Sequence, residues 1–74
     1  MINMNYTNMY QALRKILSKD EQIDYAMSGK TAAHIEMWSA LYKDKAPWLN
    51  ENTQNAGIAA AVAGEIARLT VLEV

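Results

Sequence analysis

Ala56-Gly57-Ile58-Ala59-Ala60-Ala61-Val62-Ala63-Gly64-Glu65-Ile66-Ala67-Arg68-Leu69-Thr70-Val71-Leu72-Glu73-Val74 decides the fold, because it is nearly all apolar and still divides into three helical faces. Ile58, Val62, Ile66 and Leu69 recur at four-, four- and three-residue spacing, which places them on one side of a helix as a core-facing stripe. Gly57, Ala60, Gly64 and Ala67 line an adjacent face and are all small, so a second backbone can approach there. Glu65 and Arg68 make the remaining edge, three residues apart and opposite in sign, as on a solvated helix surface. Each glycine in a helix interior costs about 1 kcal/mol relative to alanine. The expected reason for two of them is close packing: the small face should meet another helix, from this chain or from a second copy. A membrane span is rejected, because Glu65, Arg68 and Glu73 would have to enter about 30 Å of hydrocarbon.

Outward from this helix the chain breaks at Asp44-Lys45-Ala46-Pro47-Trp48-Leu49. Proline disfavours helical geometry in the residue before it and has no N–H to donate. Trp48, fixed behind Pro47, is expected to plug the corner between the two flanking helices with its ring buried. The polar run Asn50-Glu51-Asn52-Thr53-Gln54-Asn55 then reads as a loop, with Thr53 and Asn55 the best caps for the last helix.

Upstream of the corner a helix is expected from about Lys30 to Lys43, carrying Ile35, Trp38, Leu41 and Tyr42 on one face. The single histidine, His34, has no second ligand near it in sequence and is read as a packed or half-exposed residue rather than a metal or catalytic group. Another helix is expected from about Met9 to Ser18, capped by Asn8 with Gln11 three residues on. Between these two, Lys19 to Ser28 gives mixed signals. Ile23, Tyr25 and Met27 alternate like a strand, whereas Ser18 and Glu21 resemble a capping box. An irregular or briefly helical connector is expected, closed by Ser28-Gly29, because a lone short strand is a poor structural unit. Residues 1–7 read as a loose arm, without the basic and apolar regions of a signal peptide. The fold class is therefore all-α: a small three-helix segment with an irregular connector between helices one and two, forming one helical domain over residues 1–74.

Composition bounds the function. Seven basic and eight acidic residues give a net charge of −1 and are scattered, so no nucleic-acid footprint is present. There is no cysteine, hence no disulfide and no thiolate metal site. Asp20, Glu21 and Asp24 cluster, but without the glycine and spaced oxygen ligands of a calcium loop they read as a solvated acidic patch. No nucleophile with a base, no catalytic carboxylate pair and no phosphate loop emerges. A non-enzymatic structural or interaction segment without cofactor or metal is the expectation.

Two runs carry a family resemblance: Ile35-Glu36-Met37-Trp38-Ser39-Ala40-Leu41-Tyr42-Lys43-Asp44-Lys45-Ala46-Pro47-Trp48-Leu49, and Gly57-Ile58-Ala59-Ala60-Ala61-Val62-Ala63-Gly64-Glu65-Ile66-Ala67-Arg68-Leu69. Together they resemble the N-terminal region of portal proteins of tailed phages and prophages of Gram-positive bacteria. The likeness covers the second half of the chain well and the first half only in layout. In that family a small hydroxyl residue is common at the place of Gly64, and valine then threonine is more usual where Thr70-Val71 stands. The resemblance implies a subunit of the ring at one capsid vertex, the head-tail connector through which DNA is packaged and ejected. Packaging ATP hydrolysis would belong to a separate terminase, so the residues carried over are structural: Trp38, Pro47, Trp48 and the small face of Gly57, Ala60, Gly64 and Ala67. Implied partners are the remainder of a longer portal chain, other portal subunits, and capsid or scaffold proteins. Self-association is expected, and membrane or specific nucleic-acid binding is not. The implied location is the host cytoplasm during assembly and then the virion. The absence of a glycine cap or basic last turn before Val74 fits the front of a longer protein. The rival reading is a stand-alone helical adaptor or regulator that binds a protein through the small face.

Overall fold

The computed structural model describes residues 4–73, and over them the chain is all-α. Four helices follow in order: α1 (Tyr6–Ile16), α2 (Lys19–Ser28), α3 (Thr31–Leu41) and α4 (Thr53–Glu73). Each of α1, α2 and α3 packs on α4, while direct helix-to-helix contact among the first three is sparse. At 1.5 Å per residue the 21 residues of α4 span about 31 Å. That length accounts for most of the 36 Å long axis of the molecule. By length and composition alone α4 could cross a membrane. Here one of its sides is occupied by three helices instead.

Local chemistry sets the helix ends. The Asn5 side chain accepts the Asn8 N–H at 2.8 Å, so α1 starts three residues earlier than Met9, and the expected cap Asn8 becomes the donor to the actual one. Of the arm expected at 1–7, residues 1–3 lie outside the described residues, and Tyr6 and Thr7 belong to α1. Met9, Leu13 and Leu17, four residues apart, form the buried stripe of this first layer.

The connector expected at Lys19 to Ser28 is a ten-residue helix, and its boundary signals explain why. Ser18 Oγ accepts the Glu21 N–H at 3.2 Å while Glu21 Oε1 accepts the Ser18 N–H at 3.4 Å, a complete capping box. Asp20 and Glu21 favour the positive end of the helix dipole. Gly29 ends the helix at φ 66° and ψ 18°, a left-handed conformation natural to glycine. These signals outweigh the alternation of Ile23, Tyr25 and Met27. α2 turns Gln22 and Tyr25 inward and leaves Met27 83% exposed.

α3 ends two residues short of Lys43, and Leu41 is exposed rather than on the buried face, which is carried by His34, Ile35 and Trp38. In α4 the buried residues are Asn55, Ala59, Val62, Ala63, Ile66 and Thr70. The stripe is thus rotated from the expected one: Val62 and Ile66 are buried, Ile58 and Leu69 only half so. The reason is steric. Three helices must approach one, and Ala59 and Ala63, both fully buried, allow it where Ile58 and Leu69 would hold them off.

Candidate interaction surfaces

The corner between α3 and α4 is built by the sequence around Pro47. Ala46 N–H returns to Tyr42 O at 2.7 Å, closing the turn after α3. Pro47 itself faces solvent, and Trp48, 7% exposed, and Leu49, fully buried, fold into the core. Sequence reasoning missed the residue that locks this corner. Asn55, named as a possible cap, is fully buried in the first turns of α4. Its Oδ1 accepts the Met4 N–H at 3.1 Å, and its Nδ2 donates to Trp48 O at 2.9 Å. The capping acceptor is Asn52, whose Oδ1 takes the Asn55 N–H at 2.8 Å. One amide therefore ties the segment before α1, the proline corner and the start of α4 together. Asn55→Ala strips both bonds and leaves two backbone groups short of partners, so a loss of about 1–3 kcal/mol is expected in urea denaturation. A change below a few tenths of a kcal/mol would show that water replaces the amide.

Of the two partners expected for the small face, a helix of this chain or one of a second copy, the first is not found among the described residues. Gly57, Ala60 and Gly64 are exposed and Ala67 is half-buried. A Cβ built on Gly57 or Gly64 meets nothing within 4 Å. Among the described residues no helix covers Gly57 or Gly64, because α1, α2 and α3 use the other side of α4, whereas Ala67 packs against the edge of the core. Close packing within the molecule therefore does not explain the two glycines. With room for a methyl group, Gly57→Ala and Gly64→Ala should each stabilise the isolated chain by about 1 kcal/mol. A rise of about 4–8 °C in Tm for each is the expected reading in a domain of this size. A fall in Tm at low protein concentration would mean that the face is covered.

Two apolar depressions flank α4. One, of 350 Å³, lies between α3 and α4 and is lined by Ala32, Ile35, Ala56 and Ala60 among others. The other, of 150 Å³, is formed by Ile23, Ala26 and Met27 of α2 against Thr70 and Val71 of α4. Val71 and Leu72 are 62% and 70% exposed, so the end of α4 presents uncovered aliphatic surface.

Several charged groups form pairs. Arg68 Nε and its terminal nitrogen donate to the two Glu65 oxygens at 3.1 and 2.7 Å, the paired edge expected from their spacing. Glu73 receives Arg14 at 3.2 Å and Lys19 at 3.6 Å, and the Arg14 hydrogen bond holds its carboxyl below the usual value. The basic charge missing from the last turn of α4 is thus supplied by α1 and α2. The acidic trio is not simply a solvated patch: Glu21 caps α2 and accepts a hydrogen bond from the Tyr42 hydroxyl, and Asp24 binds His34.

His34 is buried, 7% exposed, in a set of three mutually edge-on rings. Its centroid lies 5.1 Å from that of Tyr25 and 5.6 Å from that of Trp38, and Tyr25 and Trp38 are 5.4 Å apart. Nε2 lies 3.0 Å from Asp24 Oδ2 and Nδ1 2.9 Å from Lys30 O. The Asp24 hydrogen bond raises its pKa above the ordinary value. Burial opposes this, the Lys30 carbonyl and the Asp24 charge reinforce it, and the Lys30 ammonium weakly opposes it. Among the described residues no group of three or more His, Asp or Glu side chains converges as a metal site.

No protein-family model, curated protein or solved structure shows significant similarity to this chain. What fold and surface define together is a four-helix packing unit, with its core on one side of α4 and open apolar or small-residue surface on the other.

Proposed function

We propose that this chain is a non-enzymatic helical packing segment of a tailed-phage portal subunit, working at the capsid vertex through contacts with other parts of the portal. The residue pattern from Ile35 to Leu49 and from Gly57 to Leu69 supports the family. The observation that carries the role is the open side of α4, where Gly57, Ala60 and Gly64 face solvent beside uncovered Val71 and Leu72. A long helix smooth on its outer side is suited to receiving a second layer of helices, and exposed apolar patches mark such interfaces. Trp38, Trp48 and Asn55 hold the scaffold, and Pro47 sets the corner that presents it. Assembly would begin in the host cytoplasm and end in the virion.

Mass spectrometry of phage particles purified from the source strain tests this reading. Peptides spanning residues 31–68 should be present at the copy number of a single vertex ring. Their absence from particles, with the chain found in the host's soluble fraction, would overturn it in favour of a helical adaptor that uses the same face of α4 for a different protein.

A further inference from the structure

The α2–α3 corner carries a feature that the packing role does not use. The two helices are joined only by Gly29 and Lys30, with Gly29 in the left-handed conformation that reverses the chain. Across this corner His34 faces an acceptor at each ring nitrogen: a carboxylate oxygen at Nε2 and a backbone carbonyl at Nδ1. Neither acceptor has a proton to give if Asp24 is ionised. A neutral imidazole has one N–H, so either tautomer would set a nitrogen lone pair against an oxygen lone pair at about hydrogen-bond distance. Only the imidazolium satisfies both contacts.

We infer that His34, Asp24 and the Lys30 carbonyl form a proton-operated clasp on the α2–α3 hairpin, closed while His34 is an imidazolium and loosened when the proton leaves. The charged groups acting on the ring are Asp24 from α2 and Lys30 just ahead of α3. Tyr25 of α2 is the other titratable group against it, and its hydroxyl is engaged with Thr31 Oγ1 at 2.8 Å. No charged side chain of α1 or α4 is among the groups acting on His34. α2 and α3 each pack mainly on α4, and the clasp joins the ring cluster, the Tyr25–Thr31 hydrogen bond and the Glu21–Tyr42 contact in tying this hairpin together. Loosening it would loosen the packing of Tyr25 against Trp38.

The sign follows from linkage. A histidine whose folded pKa lies above its unfolded value contributes fully below the unfolded value, about 6.5, and loses that contribution as pH rises through the folded value. The hairpin should therefore be tighter in mildly acidic surroundings and weaker above them.

His34 is the sole histidine, so its ring resonances in NMR read the clasp in the unaltered chain without assignment ambiguity. The expected result is a titration midpoint above 6.5, with both ring nitrogens protonated below it. In urea denaturation the folded-to-unfolded ratio should fall as pH rises between the two pKa values, by at most tenfold per pH unit for one proton. Asp24, whose side chain is 70% exposed, can be changed with little disturbance to packing. Asp24→Asn should lower the midpoint and flatten the stability slope. A His34 midpoint at or below 6.5, or the same slope in wild type and Asp24→Asn, would overturn the proposal.

Discussion

Trp38→Ala is expected to remove about 3–5 kcal/mol, the largest loss of any single truncation in this chain. Trp38 is the largest fully buried side chain, on α3 and edge-on to both Tyr25 of α2 and His34. Truncating a buried tryptophan typically costs about 3–5 kcal/mol, through lost transfer energy and the cavity left behind. A domain of 74 residues has a total stability of only about 4–11 kcal/mol at 0.05–0.15 kcal/mol per residue. The loss therefore takes a large share of what holds the fold, and urea denaturation followed by circular dichroism should show the midpoint falling sharply. Trp38→Phe separates ring packing from polarity. Its smaller ring keeps the edge contacts, and it removes an indole N–H that is buried without an acceptor. It should cost much less than alanine. Equal losses for Phe and Ala would mean that the ring cluster is not what Trp38 contributes.

Trp48→Ala should rank next, toward the lower end of the same range, because the ring retains a little exposure at the rim of the core. Its backbone carbonyl, which receives Asn55 Nδ2, survives the substitution, so the measured loss belongs to the ring. The two residues nevertheless meet at one corner. A double-mutant cycle of Trp48→Ala with Asn55→Ala should depart from additivity by at least about 0.5 kcal/mol. Additive losses would show that the buried amide and the indole act independently. Both tryptophans should emit as buried indoles in the folded protein; emission typical of full water exposure would contradict the corner packing altogether.

The central place of α4 was legible because its composition leaves no other structural use for it, and Trp38 and Trp48 were legible because a small domain has few large apolar groups with which to fill a core. The rotation of the buried stripe was not. Periodicity locates a face to within about one residue, and the choice between Ile58 and Ala59 depends on how closely three other helices approach. Of the two forms expected for Lys19 to Ser28, irregular or briefly helical, the helical one is found, because Ser18 and Glu21 at its start and Gly29 at its end are stronger signals than three alternating residues. The roles of Asn55 and His34 could not be read in advance, since their partners, Met4 and Trp48 for one and Asp24 for the other, are fixed only when the helices assemble. The helix expected against the glycines of α4 is not one of this chain's own, which could not be read in advance because a small residue reads alike whether it admits a neighbour or faces water.

The division of α4 into a packed side and an open side bears on how such a chain can change over generations. Ala59, Val62, Ala63 and Ile66 are fully buried in the core that α1, α2 and α3 build on α4, so substitutions there are tightly constrained. A methyl group added at Gly57 or Gly64 meets no neighbour within 4 Å, so side chains there change helix propensity without disturbing the core. The outer side can drift and be reshaped to a new contact while the inner side keeps the architecture intact, so affinity and foldability are free to evolve separately along a single helix.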